Sequence, residues 1–146
     1  MKFLLDTMVV SEWVKPRPDA GVLAWLSTTD EDCIFLSIVT LAELRYGIAR
    51  RAAGSRRNRL DNWLRNDLAE RFAGRIIPVD RLIADYWGVT VARTEAAGRS
   101  TSTMDAFIAA TALAHDMTLV TRNTSHFQAS LTQMINPWAN EEGRPG

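Results

Sequence analysis

The chain has 146 residues, 47% hydrophobic and 23% charged, with 17 basic and 17 acidic residues. That balance fits one globular domain and excludes disorder, collagen and coiled coil as the main theme. No apolar run approaches the ~18 residues of a spanning helix, and the start has no signal-peptide pattern, so a soluble protein is expected. Cys33 is the only cysteine, which excludes an internal disulfide and suits a reduced, cytoplasmic home.

Taken in chain order, short apolar runs alternate with helical patterns, the signature of an α/β fold. Residues 2–5 read as a buried strand ending at Asp6, and a short helix is predicted over about Val9 to Val14. Asp19 is placed to cap a helix carrying Val22, Leu23 and Leu26. Residues 33–36 read as a second strand, followed by a helix from about Val39 to Arg50 and a polar turn over 51–57. Leu60, Trp63, Leu64, Leu68 and Phe72 form one apolar helical face that Gly74 ends. Ile76 to Val79 is a short strand, and its Pro78 suits a sheet edge. Asp80 caps a helix that stops at Gly98. An alanine-rich helix from about Met104 to His115 precedes a strand at Thr118–Val120 and a last strand near Gln133 to Ile135. One domain is expected over 1–139, with a loose tail over 140–146.

Strands alternating with helices imply a parallel sheet, whose ligands bind beyond the carboxyl ends of the strands. Three acids stand near helix starts, two of them just after strands: Asp6, Glu43 and Asp105. Each has a plain structural reading. Asp6 suits an N-cap, and Thr40-x-x-Glu43 and Ser102-x-x-Asp105 have capping-box spacing. Together they carry more, because clustered carboxylates repel unless protons or a metal neutralise them. Oxygen ligands without a Cys or His pair favour Mg²⁺ or Mn²⁺ over zinc. His115 and His126 lack metal-ligand spacing with each other or with Cys33, and no phosphate-cradling glycine loop is present. Asp61, Asp67, Glu70, Asp85 and Glu95 read as solvated, and the five Trp as core and interface anchors.

The charges are segregated. Residues 1–43 hold seven acids and three bases, whereas residues 44–60 hold six Arg and no acid. Charge runs usually make a solvated face, but this one is also placed to face RNA or a protein partner.

The motifs Leu4-Leu5-Asp6-Thr7, Ser37-x-x-Thr40-x-x-Glu43-Leu44, Asp105-Ala106-x-Ile108-Ala109-Ala110-Thr111-Ala112 and Leu119-Val120-Thr121-Arg122-Asn123 recur in order across the chain. Together they resemble the PIN-domain family, in its branch of VapC- and FitB-like toxin ribonucleases from toxin–antitoxin systems. The resemblance implies a three-layer α/β/α domain with a central parallel sheet of about five strands. It implies a Mg²⁺- or Mn²⁺-dependent endoribonuclease in which Asp6, Glu43 and Asp105 are catalytic and hold one or two cations. Thr7, Thr121 and Asn123 would support them, and the cut would leave 5′-phosphate and 3′-hydroxyl ends. Arg45 and Arg122, beside site residues, and Arg56 and Arg57 are candidates for gripping RNA phosphates. The resemblance also implies a homodimer, a small antitoxin partner and indirect association with DNA through that antitoxin.

The sequence departs from the family pattern at three places. Met8 stands where Asn is common, which implies one site hydrogen bond fewer, and Asn123 and His126-Phe127 stand where a fourth acid is common, which bears on a second cation. Asp116 stands where a small residue is common in the branch and does not replace that acid. The alternative function is a catalytically weak PIN-fold binding module that acts with an antitoxin on DNA.

Overall fold

The computed structural model describes residues 1–131 and 133–138. The expectation of a tail over 140–146, and residue 139 of the expected domain, lie outside the described residues. Five strands form one parallel sheet in the order β3-β2-β1-β4-β5: β1 Phe3–Leu5, β2 Ile34–Ser37, β3 Ile76–Ile77, β4 Thr118–Val120 and β5 Met134–Ile135. Eight helices connect and cover them: α1 Thr7–Glu12, α2 Ala20–Thr28, α3 Ile38–Ala49, α4 Ser55–Asn62, α5 Ala69–Arg71, α6 Arg81–Ala96, α7 Thr103–Ala114 and α8 Thr124–Phe127. This is the expected three-layer α/β/α arrangement.

Two apolar clusters fill the layers. On one side Leu5, Val9, Val10, Leu36, Leu44, Leu64, Leu68 and Phe72 pack together. On the other, Leu4, Ile83, Ile108, Ala109, Ala110 and Leu119 do. Leu4 and Leu5 fall in different clusters because successive strand side chains point to opposite faces of the sheet. Small side chains at Ala106, Ala109, Ala110 and Ala112 let α7 pack closely beneath the strands. All five Trp pack on the core as anticipated, with Trp25 edge-on to Phe3 and Trp87 stacked on Phe107.

Several boundaries differ from expectation. Helix α1 begins at Thr7, because Asp6 caps it directly. Cys33 belongs to a 3₁₀ turn, Glu31–Cys33, capped by Asp30, so β2 starts one residue later. The long apolar helix is not one α-helix. It runs through α4, a π-helical turn Trp63–Leu68, and α5. Leu60, Leu64, Leu68 and Phe72 are all buried at four-residue spacing. An α-helix overshoots by about 40° at each such step, and a wider i→i+5 turn undershoots. The π turn thus brings the stripe back onto the core.

The expected glycine stops hold. Gly74 and Gly98 take φ of 79° and 74°. At Gly98 the amide of Arg99 donates to the Thr94 carbonyl and that of Gly98 to the Glu95 carbonyl, a Schellman end to α6. Asp116 makes the same turn after α7 with φ 51°, and the Met117 amide donates to the Ala112 carbonyl. It is a helix stop at the amino end of β4, remote from the acids. Among the described residues no helix is long and apolar enough to cross a membrane.

Candidate active site at the carboxyl end of the sheet

The connections run outward from β1 to β2 and β3, then jump back across β1 to β4. The reversal falls between β1 and β4, where open α/β sheets place their ligand crevices. Asp6 follows the last residue of β1 and Thr121 the last of β4, and the paired register Leu5–Val120 sets them side by side. The Asp6 amide donates to the Val120 carbonyl at 2.9 Å and extends the ladder by one bond.

Asp6 is only 5% exposed. Its Oδ1 accepts from the Thr7 amide at 2.8 Å and its Oδ2 from the Thr121 hydroxyl at 2.7 Å. Thr121 in turn accepts from the Asn123 amide at 3.0 Å, so a relay of donors ends on the carboxylate. The capping and functional readings of Asp6 are therefore one arrangement: the cap fixes the carboxylate and leaves lone pairs on both oxygens.

Glu43 projects from α3. Ser37 caps that helix, accepting from the Val39 amide, so the Thr40–Glu43 capping box does not form. Glu43 Oε1 instead accepts from the Thr7 hydroxyl at 2.7 Å, and that hydroxyl lies 3.2 Å from Thr40 Oγ1. Thr7 thus ties α1 to α3 and links Asp6 to Glu43. Asp105 sits in the first turn of α7, where Ser102 caps as expected and accepts from the Asp105 amide at 3.1 Å.

These three acids bear on one another. Burial pushes the Asp6 carboxyl above its ordinary range, and the charges of Asp105 and Glu43 push it further. The Thr121 hydroxyl and the Thr7 amide oppose that rise. The donor set is all oxygen, which suits a hard divalent cation. Among the described residues, no three acid, His or Cys side chains stand close enough to form a ready-made cage. Mg²⁺ keeps several waters and takes one or two carboxylates, so it asks for no such cage. The residues present fit such an ion.

The other expected site residues are placed unevenly. Asn123 donates from its side chain to the Met8 sulfur at 3.2 Å, which ties the loop after β4 to α1. Arg45 is not free for phosphate: it pairs with Asp61, which also takes Arg65. Asp61, expected to be merely solvated, is therefore a structural partner. Arg56 donates to the Val14 carbonyl at 2.9 Å, and the Arg122 guanidinium lies over the Trp138 ring. Arg57 is half-buried.

A groove of about 540 Å³ leads away from Thr7 and Glu43 along α3, and Tyr46, Arg50, Arg51 and Arg56 line it. Lys15 lines it as well, whereas Arg45 and Arg57 do not. Arg50 and Arg51 belong to the arginine run that the sequence places toward RNA or a protein partner, whereas Lys15 and Tyr46 were not singled out by sequence. The Glu43, Tyr46, Gly47, Arg50 spacing, one face of a helix, is the signal that could have found Tyr46. A second cleft, of about 610 Å³, opens beside Asp105.

The PIN domain family profile matches residues 3–130. The chain is 39% identical to the VapC ribonuclease Y4jK of Sinorhizobium fredii (strain NBRC 101917 / NGR234) over 135 residues, which is 92% of this chain and 96% of that protein. It is 38% identical to toxin FitB of Neisseria gonorrhoeae (strain ATCC 700825 / FA 1090), over 92% of this chain and 97% of the other. It superposes on the structure of FitAB bound to an IR36 DNA fragment with a TM-score of 0.89 and 36% identity, covering 97% of this chain and 99% of that one. The ordered motifs, the carboxylates at the switch point of a β3-β2-β1-β4-β5 sheet, and these matches together place the chain in the PIN-domain family.

Proposed function

We infer that the chain is a metal-dependent endoribonuclease, the toxin of a toxin–antitoxin pair. The observation that carries this reading is the buried Asp6 carboxylate, fixed by two donors at the sheet's switch point and repelled by Asp105 and Glu43. A protein retains such repulsion where the charges have work to do. The ribonuclease relative and the toxin relative support the same reading.

In this reading Asp6 and Asp105 hold Mg²⁺ or Mn²⁺, with Glu43 as a further ligand or as the residue that orients water. When bound, the cation neutralises the carboxylates, lowers the pKa of a water and stabilises charge developing on the phosphoryl oxygens. Glu43, with Oε1 held by the Thr7 hydroxyl, keeps its other oxygen to accept a proton from the attacking water. The water oxygen bonds to phosphorus and the bond to the 3′-oxygen breaks. That oxygen takes a proton from solvent, leaving 5′-phosphate and 3′-hydroxyl ends. The Thr121 hydroxyl and the Thr7 amide donate to Asp6 and oppose the rise that burial imposes on its carboxyl. The arginines of the groove hold RNA phosphates beside the cut.

The same reading includes a homodimer and an antitoxin. The FitAB–DNA structure supports a partner through which DNA is reached. Leu82, Tyr86 and Val89 are exposed at i, i+4, i+7 on α6, an apolar stripe suited to a second copy.

The test is cleavage of a labelled RNA pool by antitoxin-free protein in Mg²⁺, Mn²⁺ or EDTA, beside Asp6→Asn purified identically. Cutting that needs metal and vanishes in the variant is expected. Equal cutting by the variant overturns the assignment. No cutting by the parent together with intact partner binding favours the binding-module reading.

A further inference from the structure

The cleft beside Asp105 differs in chemistry from the groove beside Glu43. The groove presents Lys15, Arg50, Arg51 and Arg56. The cleft presents the hydroxyls of Ser100, Thr101 and Ser125, the imidazole of His126, and Arg99. The two share no lining residue. One reaches the acids through Thr7 and Glu43 and the other through Asp105, so the carboxylates lie between them. We propose that the Ser100–Ser125–His126 cleft takes the nucleobase next to the scissile phosphate of a single-stranded RNA and sets which base is cut beside, while the arginine groove holds the backbone on the other flank. The proposal rests on the ribonuclease reading for its substrate.

Three observations carry it. The first is hydrogen-bonding capacity. Hydroxyl and imidazole groups can donate and accept, as base edges do, whereas guanidinium and ammonium groups only donate. Phosphate contacts position a nucleic acid and base contacts specify it, and proteins read RNA sequence from splayed single-stranded bases. The side chains of Arg99, Ser100, Ser125 and His126 are exposed and, among the described residues, take no protein hydrogen-bond partner, so a ligand would replace only water there. The second is size. About 610 Å³ falls within the range of pockets that take small-molecule ligands.

The third is rigid placement relative to the cut. The Schellman turn at Gly98 and the Ser102 cap of α7 fix both ends of residues 98–102. The Thr94 hydroxyl donates to the Thr90 carbonyl at 2.8 Å and lies 3.4 Å from Ser130 Oγ, bracing α6 against the far wall. On that wall the His126 amide donates to the Asn123 carbonyl at 3.0 Å. Asn123 is itself tied through Thr121 to Asp6. A base held there is in fixed register with the carboxylates.

The experiment has two arms with one probe, an RNA oligonucleotide pool of random sequence. Cleaved ends are sequenced for the parent and for Ser100→Ala, Ser125→Ala, His126→Ala, Arg50→Ala and Arg51→Ala. In parallel, pool RNA retained by Asp6→Asn is sequenced with and without His126→Ala, with circular dichroism as the folding control. The cleft variants are expected to flatten base preference at one position beside the cut by about tenfold. The arginine variants are expected to weaken all sequences alike and to lower the salt slope by roughly one per residue removed. Base preference left unchanged by all three cleft variants in cutting and by His126→Ala in binding overturns the proposal, whatever happens to protein binding. No cutting by any form, together with a binding preference that His126→Ala flattens, overturns the ribonuclease reading and supports the cleft.

Discussion

At the carboxyl end of β1, Asp6 is buried beside two other acids, and its carboxyl is pushed above its ordinary range. On the outer face of α4, Asp61 faces solvent between Arg45 and Arg65, whose hydrogen bonds hold its carboxyl below that range. The side chain is the same and the neighbours decide the outcome. Asp61 is complemented by the protein's own cations and has little left to offer a ligand. Among the described residues Asp6 is supplied with hydrogen-bond donors but no positive charge, and the complement we propose for it is a cation from outside. A carboxylate that destabilises its own fold marks a site, whereas one that supports its fold marks structure.

The linkage runs in opposite directions for the two. In the metal-free protein the unfolded chain releases the Asp6 proton at a lower pH than the folded chain does. Stability therefore falls as pH rises through the window between those two values and stays lower above it. Asp6→Asn removes the charge, keeps the shape and keeps an acceptor for the Thr7 amide. It is expected to abolish cleavage, by about 10³-fold or more. In chelator above the carboxylate range it is expected to raise the melting temperature by about 2–5 °C. The gain over the parent should shrink as the pH is lowered into that range. A melting temperature that drops at every pH would break the comparison, because Asp6 would then be supporting its fold.

The sequence made Asp6, Glu43 and Asp105 legible because each sits within two turns of a boundary marked by local signals: Asp6 one residue after β1, Asp105 in the first turn of α7 and Glu43 in the second turn of α3. Strand apolarity, Ser102 and the parallel α/β pattern need no distant partner to read. The parallel sheet follows from the same alternation, whereas its strand order, which sets Asp6 at the switch point, does not. What was not legible involves residues far apart in the chain. The Arg45–Asp61 pair spans the turn between α3 and α4, so Arg45 looked free for phosphate. The Thr7–Glu43 bond that replaces a Thr40–Glu43 capping box joins α1 to α3 across 36 positions. The π turn hid inside a four-residue apolar spacing that an α-helix also shows. The cleft beside Asp105 brings residues 98–102 against α8, which no local motif announces.

A subtler variant sharpens the contrast without touching a charge. Thr121→Val removes the hydroxyl that donates to Asp6 Oδ2 and accepts from the Asn123 amide. The opposing pull on the Asp6 carboxyl weakens, so its pKa rises further. Cleavage is expected to fall by about 10-fold near neutral pH, and the acid limb of the pH–rate profile to move to higher pH. Thr121→Ser, which keeps the hydroxyl, should restore the parent profile. A uniform loss of rate with no movement of that limb would mean that Thr121 only shapes the loop.

The smallest effect belongs to the other side of the comparison. Asp61→Asn leaves Arg45 and Arg65 without their carboxylate partner on a solvent-facing surface, where ion pairs contribute little. Because the folded-state pKa of Asp61 is lowered, its contribution is present above the ordinary carboxylate value and is lost as pH falls through the folded value. The variant should therefore melt slightly below the parent near neutral pH and low salt, and together with it in acid. High salt should close the same gap by screening. Metal-dependent cleavage should be unchanged, since the pair lies outside the groove and the carboxylate cluster. The opposed pH slopes of Asp6→Asn and Asp61→Asn, measured by thermal melts across one buffer series, separate the two kinds of aspartate. Parallel slopes would show that burial and repulsion at Asp6 are too weak to mark it as a site.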